Sequence, residues 1–445
     1  MNLKLFFKFL LPSLIGVGLF LVPLYYEGNK TILLAVFTSI IRRPFEAFLL
    51  EIIVSIVLIA AIGGAYNVLF KPKWKNDKSS LSIICNTSPL WFSFRIIGAI
   101  FAIMVYFEIG PEIIWSPQTG LTVFRDIGAT IFFIITVACF LMPFLTEYGF
   151  MEFAGTLLSR AFGLLFKLPG RAAIDAMASF LSSSNVGLLI TISQYEKGHY
   201  TTREAASIAV NFSVVSVSFS LLMVSVAGIE HLFVPWYLSV IATCVLCAII
   251  MVRIPPLSQY NDTYFEPANK KVANNQDYHH NLFLNGIYRG MARAGSGPGP
   301  LEFIKNGWQS AIGVVFGVLG PSMAVGTTTI ILMEHTNIFY YLSYPVLILL
   351  QIIGFPEAQN AAPGLVIGFL DQFMPAIVAS RLENELAKFI LAGMAVTQLI
   401  YMSEVGLIIL RSSLPLKFRH LAMIFALRSV ISFPFLYIAA LIVIG

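Results

Sequence analysis

The chain has 445 residues, of which 58% are hydrophobic and 11% are charged. No soluble fold can hide so large an apolar fraction, and no disordered chain carries one, so the composition implies a polytopic membrane protein. The net charge of +5 does not point to nucleic acid, because the basic residues gather at the ends of apolar segments, where they set topology.

In chain order, the first apolar run spans about 7–26, after Lys4 and Lys8 and before Glu27. It lacks a small-residue cleavage site and reads as an uncleaved transmembrane helix whose N-terminus is cytoplasmic. The stretch 31–44, with Arg42, Arg43 and Pro44, reads as interfacial, and a second crossing follows at 45–69. Lys71, Lys73, Lys75 and Lys78 then form a basic loop on the cytoplasmic side. Crossings at 89–108 and 121–146 flank a loop without Lys or Arg, which fits the outer face. The run 150–168 carries Glu152, Arg160 and Lys167 among apolar residues and suits an amphipathic helix at the inner interface.

The segment 171–197 is long enough to cross, yet Ser182-Ser183-Ser184-Asn185 sits in its middle and both of its ends are charged. A re-entrant hairpin satisfies both facts, since non-helical backbone at membrane depth is tolerated only inside protein or a wet cavity. An unbroken crossing helix with a serine-rich packing face is the alternative. Helices are expected at 203–227 and 233–253, followed by a polar cytoplasmic stretch, 254–302, that contains His279 and His280. Further apolar segments lie at 304–333, 337–355, 362–380, 386–410 and 418–444. Of the cysteines, Cys244 and Cys247 have CxxC spacing but lie inside an apolar run, so they read as packing residues, as do Cys85 and Cys139.

Two stretches resemble one device used twice: Ser184-Asn185-Val186-Gly187 and Ser403-Glu404-Val405-Gly406. Each interrupts an apolar segment, and each is followed by another marked helix, Ser213 to Ser216 or Ser429 to Ser432. Paired interrupted segments in two halves of a membrane protein point to a solute site. Ionisable groups at membrane depth are costly and usually functional, which selects Glu147, Asp175, Asp371, Glu404 and Arg428. Pro375 cannot donate to the carbonyl of Asp371, which leaves an oxygen-rich spot suited to Na⁺ or a proton relay; a kinked helix with Asp371 paired to Arg381 or Arg428 is the alternative. Thr397, Tyr401 and Glu404 fall at i, i+4 and i+7, one face of a helix, with Gln398 beside them. That face is expected to meet Ser182–Asn185 across a cavity also lined by Ser207, Asn211 and Ser218. Gly326-Thr327-Thr328-Thr329, after Pro321, is a weaker candidate break. No GxxxxGK[ST], HExxH or GxSxG is present, so neither a nucleotide-driven engine nor an enzyme is nominated.

Thr146-Glu147-Tyr148-Gly149, Leu168-Pro169-Gly170-Arg171, Gly368 to Ala376 and Thr397 to Gly406 carry a family resemblance. The chain, mostly from about residue 120 onward, resembles YjiH-type bacterial inner-membrane proteins with a nucleoside-recognition Gate domain. The resemblance implies kinship with the Gate domains of concentrative nucleoside transporters, ferrous iron permeases and spore-maturation proteins. It also implies two re-entrant hairpins and an elevator-like movement. The expected fold is an all-α polytopic membrane protein of about 10 transmembrane segments with two re-entrant or broken helical hairpins. Its expected parts are N-terminal transmembrane helices (1–119), a first Gate-like half (120–253), a cytoplasmic loop (254–302) and a second Gate-like half (303–445).

The expected function is secondary active transport of a small polar or anionic organic solute, coupled to Na⁺ or H⁺, with no other cofactor. Solute contacts would come from Ser182, Ser183, Ser184, Asn185, Asn211, Gln398, Tyr401, Ser403 and Glu404. Ion coupling would fall to Asp371, Asp175, Glu147 and Arg428. The alternative is a non-transporting Gate subunit or scaffold. Expected partners are the lipid bilayer, the solute, and a second copy or a smaller Gate-type protein, but not nucleic acid.

Overall fold

The computed structural model describes residues 2–26, 29–70, 79–181, 184–265 and 281–445. The lysine-rich loop at 71–78, Ser182 and Ser183, and His279 and His280 lie outside the described residues. The described regular structure is helical apart from a two-stranded ribbon, Pro23–Tyr26 with Asn29–Ile32, and an isolated bridge between Thr201 and Tyr264. The chain is thus an all-α polytopic membrane protein. Six described helices are long and apolar enough to cross a bilayer, or seven if the pair Trp91–Phe107 and Glu112–Leu121, bent by 94°, is one span. The other apolar segments are divided into shorter helices, and those divisions build the site described below.

The chain forms two compact units, each assembled from distant parts of the sequence. One comprises Ile32–Pro143 and Pro298–Tyr344. Its axis is the 36-residue helix Pro300–His335, against which Pro89–Phe107, Leu49–Phe70 and Ala129–Leu141 pack. A Cβ on Gly98 would lie 2.3 Å from the carbonyl oxygen of Gly320, so two helices touch backbone to backbone there, the close approach that small residues permit in membranes. The break expected at Gly326–Thr329 is absent, because the helix continues through Pro321 and those residues. A proline inside a membrane helix is tolerated when its surroundings satisfy the carbonyl it strands.

The other unit comprises Met1–Thr31, Phe144–Gly297 and Pro345–Gly445. The stretch that sequence marks as a polar loop contains a helix, Leu282–Gly295. Its buried side, Asn285, Gly286, Gly290, Met291 and Ala294, packs on Leu3–Phe20 and on Phe150–Phe166. Gly149 takes φ +95°. A Cβ there would lie 2.2 Å from the Gly290 carbonyl oxygen, so only glycine serves this turn. Arg293 pairs with Glu147, and lies 3.7 Å from Glu152.

Within this unit one arrangement is built twice: a helical hairpin followed by a broken helix. In the first hairpin, Ala172–Leu181 and Ser184–Glu196 run antiparallel. Asp175 meets Thr191 at 3.2 Å, and a Cβ on Gly187 would lie 1.7 Å from the Ser179 hydroxyl. Both pairs are symmetric about position 183. The first arm has 10 residues, or about 15 Å of helix, half the thickness of a hydrocarbon core. It enters and returns. The broken helix that follows is Thr202–Asn211, then non-helical residues 212–216, then Val217–Ala227.

In the second hairpin, Ala358–Ile367 and Met374–Ser380 flank a non-helical tip at 368–373. A Cβ on Gly364 would meet Val378, and one on Gly368 would meet Pro375, each at 3.1 Å, so this hairpin is symmetric about Asp371. The second broken helix is Glu385–Thr397, then an irregular stretch to Tyr401, a wide turn at Met402–Gly406, and Leu407–Arg411. The pairing of motifs read from sequence is therefore corrected. Ser184–Gly187 opens a hairpin arm, whereas Ser403–Gly406 follows the break of a different segment. Ser213–Ser216 lies in a break, whereas Ser429–Ser432 lies in the unbroken 27-residue helix Phe418–Ile444.

Gly187 tests the hairpin. Gly187→Val should lower the unfolding temperature in detergent, at an overpacking cost of about 1–3 kcal/mol. Gly163, on an open part of helix Phe150–Phe166, should tolerate Gly163→Ala with no loss, because alanine improves helix propensity by about 0.5–1 kcal/mol. Equal effects at the two positions would contradict the close-packed hairpin.

Candidate functional site

A break in a membrane helix strands carbonyls at the end of its first half and N–H groups at the start of its second. In the first broken helix, the Ile208 carbonyl accepts from Phe212 N at 3.0 Å, and the Ala209 carbonyl from the Ser213 hydroxyl at 2.6 Å. The Val210 carbonyl accepts from Arg428 Nη1 at 3.5 Å. Ser216 caps the second half, its hydroxyl accepting from Phe219 N at 3.3 Å. The serines that marked this segment in the sequence are thus the groups that satisfy its break.

The second break is tighter. Leu399 takes φ +59°, and Ile400 N donates to the Gln398 carbonyl at 2.7 Å. This is a three-residue turn of the strained hand, rare for a residue with a Cβ. Arg428 Nε and Nη2 both donate to the Thr397 carbonyl, at 2.9 and 2.8 Å. Gln398 Nε2 donates to the Leu365 carbonyl of the second hairpin and to the Ser429 hydroxyl, each at 2.9 Å. Downstream, Met402 N and Ser403 N donate to the carbonyls of Phe369 and Leu370, at 2.8 and 3.0 Å. The hairpin tip and the break complete each other's backbone.

Two expectations change here. Thr397, Tyr401 and Glu404 do not share a helix face, because the helix ends at Thr397 and the chain reverses hand at Leu399. Asp371 is not in a kinked helix. It sits at a hairpin tip, where its Oδ1 accepts from Phe373 N at 2.8 Å. Pro375 lies in the first turn of Met374–Ser380, where a missing N–H costs nothing. Asp371 also takes a hydrogen bond from the Ser403 side chain.

Several predicted residues do come together. The Ser184 and Tyr401 hydroxyls are 2.9 Å apart and buried. Further along, the Ser413 hydroxyl donates to Glu196 at 3.0 Å. The same offset of 217 residues recurs in both contacts, so the second arm of the first hairpin runs parallel to the chain after the second break. Asn211 is buried, donates to the Ser207 carbonyl at 3.0 Å and accepts from Arg428 Nη1 at 2.8 Å. Phe219 and Phe373 rings lie 6.3 Å apart, joining the start of Val217–Ala227 to the second tip.

Asp175 is 4% exposed. Its Oδ2 accepts from the Tyr200 hydroxyl at 2.8 Å and the Thr191 hydroxyl at 3.2 Å. Glu147 stands apart from this set, paired with Arg293. Ser182, Ser183 and the side chain of Glu404 lie outside the described residues. Tyr200 and Thr191 were missed by sequence reasoning, and no sequence signal distinguishes them from packing residues. Trp236, whose indole N–H donates to the Phe389 carbonyl at 3.0 Å, was missed for the same reason.

The family described as Gate, nucleoside recognition, matches residues 129–230, which include the first hairpin and the whole of the first broken helix. An uncharacterized protein of Alkalihalophilus pseudofirmus is 41% identical over 433 residues, 97% of this chain and 94% of its own length. The chain belongs to this family of Gate-type membrane proteins. The structure titled "Structure of CNTnw in an inward-facing substrate-bound state" is 12% identical, with a TM-score of 0.42 over 98% of this chain and 100% of that one. A CNTnw variant in an "intermediate 1 state" is 15% identical, with a TM-score of 0.40 over 97% of this chain and 98% of that one. Agreement at that level carries no residue assignment.

Asp175 offers a clean separation of charge from shape. Both hydroxyls converge on one oxygen, which the amide oxygen of asparagine can replace. Asp175→Asn should therefore stay within about 1 kcal/mol of the parent, whereas Asp175→Leu, which strands the Tyr200 hydroxyl and leaves Thr191 only the Gly187 carbonyl at 3.1 Å, should lose about 1–3 kcal/mol. Thermal unfolding of the purified variants reads the difference, and equal losses would contradict the two-donor arrangement.

Proposed function

We propose that this protein is a secondary active transporter. It carries a small polar or anionic organic solute, such as a nucleoside, amino acid, dipeptide or carboxylate, across the bacterial inner membrane, driven by Na⁺ or H⁺. The observation that carries this reading is the crossing itself, where two hairpins and two helix breaks meet within one unit. Non-helical backbone at membrane depth is expensive, and transporter sites are where it recurs. The N-termini of Ser184–Glu196 and Val217–Ala227 start at this crossing. Each contributes about half a positive charge, which favours carboxylate or other electron-rich groups on the solute.

In this reading Ser182–Asn185, Gln398, Tyr401, Ser403 and Glu404 contact the solute, with Asn211 positioned by Arg428. Asp371 serves the coupling ion: it is a carboxylate at a hairpin tip, bonded across to the second broken helix. A movement of that tip would change its surroundings directly. Asp175, held by two hydroxyls, is the second carboxylate available to a proton. Lys4 and Lys8, in the first turns of the first helix, support a cytoplasmic N-terminus.

A panel of nucleosides, amino acids, dipeptides and dicarboxylates tests the solute by thermal shift, because a ligand at 100 times its Kd adds about 2.7 kcal/mol of stability. The class that stabilises should accumulate in proteoliposomes under an imposed ion gradient. Asp371→Asn should remain folded and lose gradient-driven accumulation. Unchanged accumulation would remove Asp371 from the mechanism, and the absence of binding and flux for every class would contradict transport.

A further inference from the structure

Arg428 is 0% exposed and sits within an unbroken helix. Its acceptors are the Thr397 carbonyl, the Val210 carbonyl and the side-chain oxygen of Asn211. Among the described residues no carboxylate forms an ion pair with it. Every described partner is a neutral oxygen, and two of the three are carbonyls at the ends of broken half-helices. Half-helix C-termini and unwound carbonyls are the groups that hold Na⁺ in secondary transporters, and each such terminus carries about half a negative charge. Two of them supply roughly one unit, the complement of a single monovalent cation.

We propose that the Arg428 guanidinium is a resident cation in the position that a monovalent metal ion would otherwise fill. The crossing is then complete without Na⁺. Where this rests on the transport reading above, its consequence is that Na⁺ does not couple transport at this crossing, and the driving ion acts at a carboxyl group such as Asp371 or Asp175. A covalently tethered cation cannot leave with the solute. It holds the two half-helix ends together throughout a transport cycle, whereas a bound metal ion would let them part.

The test needs no solute, so it stands apart from the uptake experiment. Unfolding temperatures of the parent, Arg428→Ala and Trp236→Phe are measured in detergent at matched ionic strength in choline, Na⁺, K⁺ and Li⁺ chlorides, and in choline chloride with low-millimolar guanidinium. The parent should show the same value in all salts, within about 1 °C. Arg428→Ala should be strongly destabilised in choline and regain at least half of its loss with a small cation or guanidinium. Trp236→Phe, which removes a neutral donor to a helix carbonyl, should show no cation-specific recovery. Saturable stabilisation of the parent by Na⁺ would overturn the proposal, as would an Arg428→Ala loss that no cation repairs. If Arg428→Ala yields no folded protein, Arg428→Lys and Arg428→Met decide. Retention of fold by lysine alone supports a cation requirement, and equal loss in both overturns it.

Discussion

A chain that breaks its helices inside a bilayer must supply, from its own side chains, the hydrogen bonds that water would supply elsewhere. Here that constraint converges on one guanidinium. Arg428 reaches carbonyls in the last turns of two half-helices, Val210 in Thr202–Asn211 and Thr397 in Glu385–Thr397, that lie nearly two hundred residues apart in sequence. Burying an arginine without a carboxylate partner is ordinarily prohibitive. It is sustainable here because two helix C-termini together offer about one negative charge, and because Asn211 turns its amide oxygen to the same group. Removing one partner from such a buried charge costs about 3–5 kcal/mol, so the joint is also where the unit is most sensitive.

The rest of the site follows from that joint. With both half-helix ends anchored, the chain beyond each break is free to serve the hairpins. After the second break, Met402 and Ser403 complete the backbone of the second tip, and Tyr401 meets the first hairpin at Ser184. The strained turn at Leu399 is the geometric cost of directing Tyr401 toward one hairpin and Met402 toward the other. The functional reading rests on this arrangement: hydroxyls, amides and the Asp371 carboxylate gathered where two hairpins and two breaks meet.

Much of this was legible in sequence, because cost is legible. A serine run amid apolar residues, with charges at both ends of the segment, predicts a re-entrant hairpin on physical grounds, and the hairpin is there at 172–196. The Thr397–Gly406 stretch was marked as special, and it contains the second break. Ser184 and Tyr401 were expected to face each other across a cavity; they come together, but in direct contact at 2.9 Å. What failed was register. Ser403–Gly406 resembles Ser184–Gly187 residue for residue, yet the second hairpin turns at Asp371, because Gly364 and Gly368 let its arms approach. Helical spacing placed Thr397 and Tyr401 on one face only while the helix was assumed to continue past Gln398. A left-handed leucine leaves no trace in composition. The partners of Arg428 were hidden for another reason: they are main-chain carbonyls, which every residue has. The helix Leu282–Gly295 was obscured by its polar flanks, since only five of its residues face inward.

The most direct test is a double-mutant cycle on the joint, comparing the parent, Arg428→Met, Asn211→Ala and the double variant by equilibrium unfolding in detergent or lipid. The account predicts a coupling energy of about 1.5–3 kcal/mol, the range of a charge-assisted hydrogen bond in a buried setting. Additivity within about 0.5 kcal/mol would mean that the two side chains do not interact, and the joint on which the crossing depends would not exist as described.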